Sequence, residues 1–232
     1  MSHTRYDYTG FSLTKIREPR FSHIALLAGW IGYFSLYFLT ENLIPAERCH
    51  VIHCALDDQI PFSEGFVFFY VGWYLLVAGA LAYTLFYYVP GFRKLQIYIM
   101  ITQGIAMLCY ILYPSIQLLR PAVFPRANFC TWMLGIIYAF DTPTGVCPSL
   151  HVAYSMGILS VAMKDRALSW PWKALLSAFV LMICLAVCFV KQHSALDVIA
   201  ALPLSLLAEI LVYGKDYWLP KLRNRNMKKE TA

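Results

Sequence analysis

Apolar residues in this chain fall into long runs separated by short polar, charge-bearing stretches. That pattern is coarser than the alternation of a half-buried strand or the 3.6-residue period of a surface helix. Six runs stand out: Ser22–Thr40, Phe66–Val89, Leu95–Tyr113, Val146–Met163, Ala174–Val190 and Ala195–Tyr213. A bilayer core about 30 Å thick takes roughly 20 residues of helix, so the runs predict an all-α, polytopic bundle of six transmembrane helices. Trp132–Phe140 has nine residues, too few to cross, and predicts a re-entrant or interfacial segment. No internal repeat, low-complexity segment or second soluble domain is visible. The expected organisation is a polar segment 1–21, a membrane domain 22–213 and a basic tail 214–232.

Composition agrees with that pattern. The 232 residues are 59% hydrophobic and 14% charged, against about half and a quarter in soluble domains. The first run is longer than the apolar region of a cleaved signal peptide and is expected to stay as a span. Cations then set the orientation. With six crossings, both termini and the loops after the second and fourth spans share one side. That side carries 15 of the 19 lysines and arginines, and the other carries Arg48, Arg120, Arg126 and Lys191. Both termini are therefore expected to be cytoplasmic. Topology accounts for the net charge of +6, so no nucleic-acid partner is called for. The tail "KLRNRNMKKETA" reads as a solvated or lipid-surface segment.

Ionisable groups at the head of membrane runs are costly and mark functional sites. "TGVCPSLHVAYS" places Pro148, Ser149 and His151 at the start of the fourth run, and "VKQHSALDVIA" places Lys191, His193 and Asp197 at the start of the sixth. On a helix, His193 and Asp197 share one face, so the carboxylate can fix the imidazole tautomer and leave the far nitrogen as a nucleophile. Taken alone, the pair reads equally well as helix-capping residues, and His151 as a headgroup-level histidine. Pro148 and Ser149 suit a first helical turn whose free N–H groups bind anions, with His151 able to donate a proton to a leaving oxygen. Arg120 and Lys191 could bind phosphate oxygens. All five land on the non-cytoplasmic side, a combination that suits phosphoryl transfer through a phosphohistidine. No cofactor motif is present: no metal cluster, phosphate-binding glycine loop or serine elbow.

Cys49, Cys54, Cys130 and Cys147 fall on the same outer side, where disulfides persist. Cys49 with Cys54, and Cys130 with Cys147, are the expected pairs, though the sequence leaves the pairing open. The spacing in "CHVIHC", residues 49–54, is tighter than common zinc patterns, so a disulfide is expected there and not a metal.

The ordered blocks "YPSIQLLRP" (113–121), "PSLH" (148–151) and "FVKQHSALD" (189–197) resemble the type 2 phosphatidic acid phosphatase superfamily. Its signature is Lys-x6-Arg-Pro, Pro-Ser-Gly-His and Ser-Arg-x5-His-x3-Asp, and the resemblance spans about residues 95–213. It implies His193 as nucleophile, Asp197 as its orienting partner, His151 as acid for the leaving group and Arg120 as a phosphate ligand, with Ser149 beside them. Three positions depart from the signature. Tyr113 stands at the lysine position and is expected, with Ser149, among the substrate-binding residues; Leu150 replaces the glycine, and Val187 replaces the arginine. Lys191 is the cation expected to compensate.

Pro-Ser-Leu-His, with a cation just before His-x3-Asp, looks more like the branch containing inositol phosphorylceramide synthases. Enzymes of that branch use the same histidine chemistry but pass the phospho-headgroup to an alcohol rather than to water. The favoured expectation is still a lipid phosphatase acting on a phosphomonoester or pyrophosphate at the outer leaflet, because water is always present at an interfacial site, whereas transfer needs an alcohol pocket that the sequence does not reveal. The alternatives are a lipid headgroup phosphotransferase similar to inositol phosphorylceramide or sphingomyelin synthases, and an inactive membrane protein of the same fold.

Overall fold

The structure is a computed structural model that describes residues 3–230. It is mostly helical. A short helical turn, Ser22–Leu27, leads into α1 (Ala28–Leu43), and a small strand β1 (His50–Val51) precedes the short helix α2 (Ala55–Gln59). Next come α3 (Val67–Tyr87), α4 (Val89–Leu112), strand β2 (Ser115–Ile116) and α5 (Phe129–Phe140). The chain ends with α6 (Leu150–Lys164), α7 (Trp170–Phe189), α8 (Ala195–Tyr213) and α9 (Leu219–Glu230), the last joined to α8 through a π-helical turn, Gly214–Trp218.

Five helical stretches among the described residues are long and apolar enough to cross a membrane: Ser22–Leu43, Glu64–Tyr87, Val89–Leu112, Trp170–Phe189 and Ala195–Asn224. The fourth run, residues 146–163, differs from its sequence expectation. Residues 146–149 are loop, and α6 has 15 residues, about 22 Å at 1.5 Å per residue. Its position explains how so short a helix is accommodated. It packs against α3, α4, α7 and α8, so protein, not lipid, surrounds most of it. The apolar stretch expected at Trp132–Phe140 begins three residues earlier, because the Asn128 side chain caps the Thr131 N–H at 3.0 Å. Of the tail expected beyond residue 213, the described residues 214–230 continue from α8 as helix, through the π-helical turn and α9.

Small residues let α6 sit centrally. A Cβ on Gly157 would lie 2.6 Å from the ring of Tyr98. That buried ring sends its hydroxyl to the Ser205 carbonyl at 2.9 Å, so α4, α6 and α8 meet there. At one end of the bundle, residues 3–21 lie along the ends of α3 and α6: the Tyr8 hydroxyl donates to the Leu85 carbonyl at 2.7 Å, and His3 pairs with Asp165 at 2.8 Å. The candidate site occupies the other end.

Candidate active site

The loop before α6 is tied down from below. β2 pairs in parallel with β1, and the buried Ser115 supplies the anchor. Its hydroxyl oxygen accepts the N–H groups of Val146 and Cys147, both at 3.1 Å, and its carbonyl accepts Gly145 N–H at 2.8 Å. Gly145 has φ +60, a left-handed conformation that suits glycine. The Tyr110 hydroxyl donates to the Pro148 carbonyl at 2.7 Å. Ser149 then caps α6 by position, and its backbone N–H donates to the Asp197 carbonyl at 3.1 Å. The starts of α6 and α8 are thereby joined directly.

The loop between α7 and α8 presents His193. Gln192 and His193 both donate their N–H groups to the Val187 carbonyl at 3.0 Å. Lys191 adopts φ 54, costing of order 1–3 kcal/mol in a non-glycine residue. Two hydrogen bonds offset that cost, from its ammonium to the carbonyls of Asp57 (3.0 Å) and Ile60 (2.6 Å). The Asp57 carboxylate, 3% exposed, accepts Ser194 Oγ–H at 2.6 Å, Ala195 N–H at 2.7 Å and Cys54 N–H at 2.8 Å. Burial acts to raise the Asp57 pKa, but these hydrogen bonds outweigh it and hold the carboxyl below its ordinary value. Helix α2 thus grips both flanks of His193.

His193 Nδ1 lies 3.1 Å from Asp197 Oδ2, which also accepts the Ser194 N–H at 3.0 Å. With Nδ1–H donating to the carboxylate, Nε2 keeps its lone pair. That nitrogen is 3.4 Å from His151 Nδ1. The His151 ring packs against Trp73 (centroids 4.2 Å apart) and Tyr70 (4.6 Å). Both histidines line a cavity of about 750 Å³ that also touches α1, α3, Gln192 and residues 141–146. Its lining is apolar and aromatic except at the end nearest His193, where Asp141, Thr142, Thr144 and Gln192 stand.

The other expected ligands sit elsewhere. Arg120 is one layer behind the wall. It donates to the Asp141 carbonyl at 2.8 Å, the Tyr138 carbonyl at 3.3 Å and Gln192 Oε1, and lies 4.6 Å over the Tyr138 ring. Burial lowers its pKa and neighbouring Asp141 opposes that shift; a guanidinium stays charged. Lys191, expected as the compensating cation, is turned away to the α2 carbonyls and does not line the cavity. Tyr113 is 55% exposed and stacks on His50 at 4.1 Å, outside the cavity. Ser149 is fully buried and contributes backbone, not hydroxyl, contacts. Of the departing positions, Val187 is wholly buried in an apolar cluster, whereas Leu150 lines the cavity.

Neither expected disulfide forms, and Cys49, Cys54, Cys130 and Cys147 are free thiols. Cys54 caps α2 and Cys49 Sγ faces the Pro45 carbonyl at 3.7 Å. Cys130 packs in the apolar cluster around Leu134, whereas Cys147 faces Asp197. Burial, then the Asp197 charge, pushes the Cys147 thiol up to about 12.

Sequence reading missed Asp57, Asp141, Gln192, Tyr70 and Trp73. The Asp141 carboxylate accepts Tyr70 (3.1 Å), Tyr37 (3.3 Å) and Gln192 (3.4 Å). An acidic residue three positions after a capping Cys54 was a readable signal for Asp57. An aspartate closing an apolar helix was one for Asp141. Family models, curated proteins and solved structures yield no match to this chain.

Proposed function

We propose that this chain is a membrane lipid phosphatase that works through a phosphohistidine on His193, as the resemblance to type 2 phosphatidic acid phosphatases implies. The observation that carries the reading is the His193–Asp197 pair, whose free Nε2 faces His151 at the head of a largely apolar cavity. Nε2 attacks phosphorus as the bond from phosphorus to the lipid oxygen breaks. That oxygen takes a proton from His151, whose burial against Tyr70 and Trp73 disfavours the imidazolium, so in this reading the charge of the bound phosphate has to outweigh that burial for His151 to carry the proton. Water then attacks the phosphohistidine, returns a proton to His151 and releases inorganic phosphate. Arg120, fixed behind Gln192, supplies positive potential for the equatorial oxygens. The proposed topology is six crossings with α6 as the short fourth, both termini cytoplasmic and His193 on the opposite face, in keeping with the 15-to-4 division of cations.

One observation favours a second reading, headgroup transfer to an alcohol. Among the described residues no lysine or arginine lines the cavity, and the Asp141 carboxylate does. A singly charged phosphodiester suits that balance better than a doubly charged monoester. Purified protein in liposomes, supplied with phosphomonoester and phosphodiester lipids, separates the two. Free phosphate lost in His193→Ala supports the phosphatase, and a new phospholipid lost in the same variant supports the transferase. Turnover that survives His193→Ala would reject both.

A further inference from the structure

The cavity does not end at the histidines. It continues between α1 and α3 to Leu27 and Leu81; its carboxylate, amide and threonine groups are Asp141, Gln192, Thr142 and Thr144, and the rest of its lining beyond the histidines and Gly145 is aliphatic or aromatic. Along α1 and into the helical turn before it, the cavity reaches from Tyr37 to Leu27, about 15 Å at about 1.5 Å per residue. Half of a hydrocarbon core about 30 Å thick is also about 15 Å. The groove therefore has the depth of one leaflet.

Its walls are unequal. α3 packs on α4, α6 and α7, whereas α1 packs on α4 and the helical turn before it and has no buried residue. Its aromatic side chains, Trp30, Tyr33, Phe34 and Tyr37, face α3 across the groove. Phe34, 59% exposed, stands where groove and lipid meet. A loosely held helix with an aromatic edge is what a sideways entry for a lipid chain requires. A water-soluble substrate would have no use for the apolar depth.

We propose that the groove between α1 and α3 holds one hydrocarbon chain of the substrate lipid, admitted sideways from the bilayer, and that its leaflet-deep floor at Leu27 and Leu81 selects chain length. This rests on the phosphoester reading above, which places the headgroup at His193. Ala78, on the groove wall part-way down α3, is the position to fill.

Two readouts test it. A lipid phosphate carrying a photoactivatable diazirine at its chain end, incubated in liposomes with the full chain, is expected to label residues near Leu27 and Leu81, and Ala78→Trp to suppress that labelling. In turnover, Ala78→Trp is expected to lower the long-chain to short-chain ratio of kcat/KM roughly tenfold or more, since each buried methylene contributes about 0.8 kcal/mol. Labelling confined to the outer faces of α7 and α8, or an unchanged ratio, overturns the groove. Groove labelling without turnover of either lipid leaves the groove standing and removes the phosphoester reading. Turnover with an unchanged ratio does the reverse.

Discussion

Replacing Asp57 tests whether helix α2 positions the proposed nucleophile. Asp57 Oδ2 accepts from both Ser194 Oγ and Cys54 N–H, and Oδ1 accepts from Ala195 N–H. In Asp57→Asn the amide oxygen can serve Ala195, but the amide nitrogen then confronts the Cys54 N–H, donor against donor. The Ser194 hydroxyl can rotate to accept, whereas the Cys54 N–H has no such freedom. A lost hydrogen bond to a charged acceptor costs about 1.5–3 kcal/mol, so the variant should melt roughly 3–12 °C lower at about 2–4 °C per kcal/mol.

A shift of about 1 Å in His193, one residue before the loosened Ser194, should lower kcat on the order of 10²-fold, with KM little changed. The pH sign follows from the lowered Asp57 pKa. The clamp contributes fully above the unfolded carboxyl pKa near 4 and is lost as pH falls through the lower folded value. Wild type should therefore lose this increment of stability in acid, and Asp57→Asn should not. Melting followed by intrinsic fluorescence across pH, with lipid-phosphate turnover alongside, measures both. Wild-type melting and wild-type kcat in Asp57→Asn would refute the positioning argument.

Three further substitutions or modifications follow from the same geometry. Gly157→Ala gains up to about 1 kcal/mol of helix propensity but forces a Cβ to 2.6 Å from a Tyr98 ring tethered to Ser205. Overpacking costs about 1–3 kcal/mol, so a net loss of thermal stability is expected, and a rise in melting temperature would contradict it. Arg120→Lys replaces a fork that serves Asp141, Tyr138 and Gln192 with a point charge, and turnover should fall roughly tenfold or more; an unchanged kcat/KM would show that the fork is dispensable. With its thiol pushed up to about 12, Cys147 holds on the order of one thiolate in 10⁴ at pH 8. Its alkylation should be slow there and accelerate with rising pH. Rapid alkylation, or a mass gain of two protons on reduction, would show that the thiol is exposed or oxidised.

How much of this was legible in the sequence depends on how far apart the partners lie in the chain. The apolar run Ala195–Tyr213 coincides with α8, because the Ser194 cap and Asp197 define its start within four residues. The same local spacing brings His193 and Asp197 together at 3.1 Å. The grip of Asp57 on Ser194 and Ala195, and of Lys191 on the α2 carbonyls, spans more than 130 residues and leaves no periodic trace. A cation beside a histidine has the chemistry of a phosphate ligand, which is what the sequence suggests for Lys191. Its left-handed backbone and buried carbonyl partners turn it the other way. Compartment is the sole sequence argument for pairing the cysteines of the expected outer loops, whereas the fold gives Cys54 a helix to cap and Cys147 an aspartate to face. The run at 146–163 was read as one span because hydropathy does not register that Ser115 and Tyr110 hold residues 145–148 as loop.

The most direct measurement is whether phosphorus is carried by His193. Purified protein in liposomes is given a lipid phosphate labelled with radioactive phosphorus, quenched in alkali within the first turnovers, and digested for mass spectrometry. With Asp197 holding Nδ1, acid-labile label is expected on Nε2 of the His193 peptide and absent from His193→Ala, which should release no phosphate. Sustained turnover with no label on that peptide, and equally fast in His193→Ala, would contradict the account at its centre.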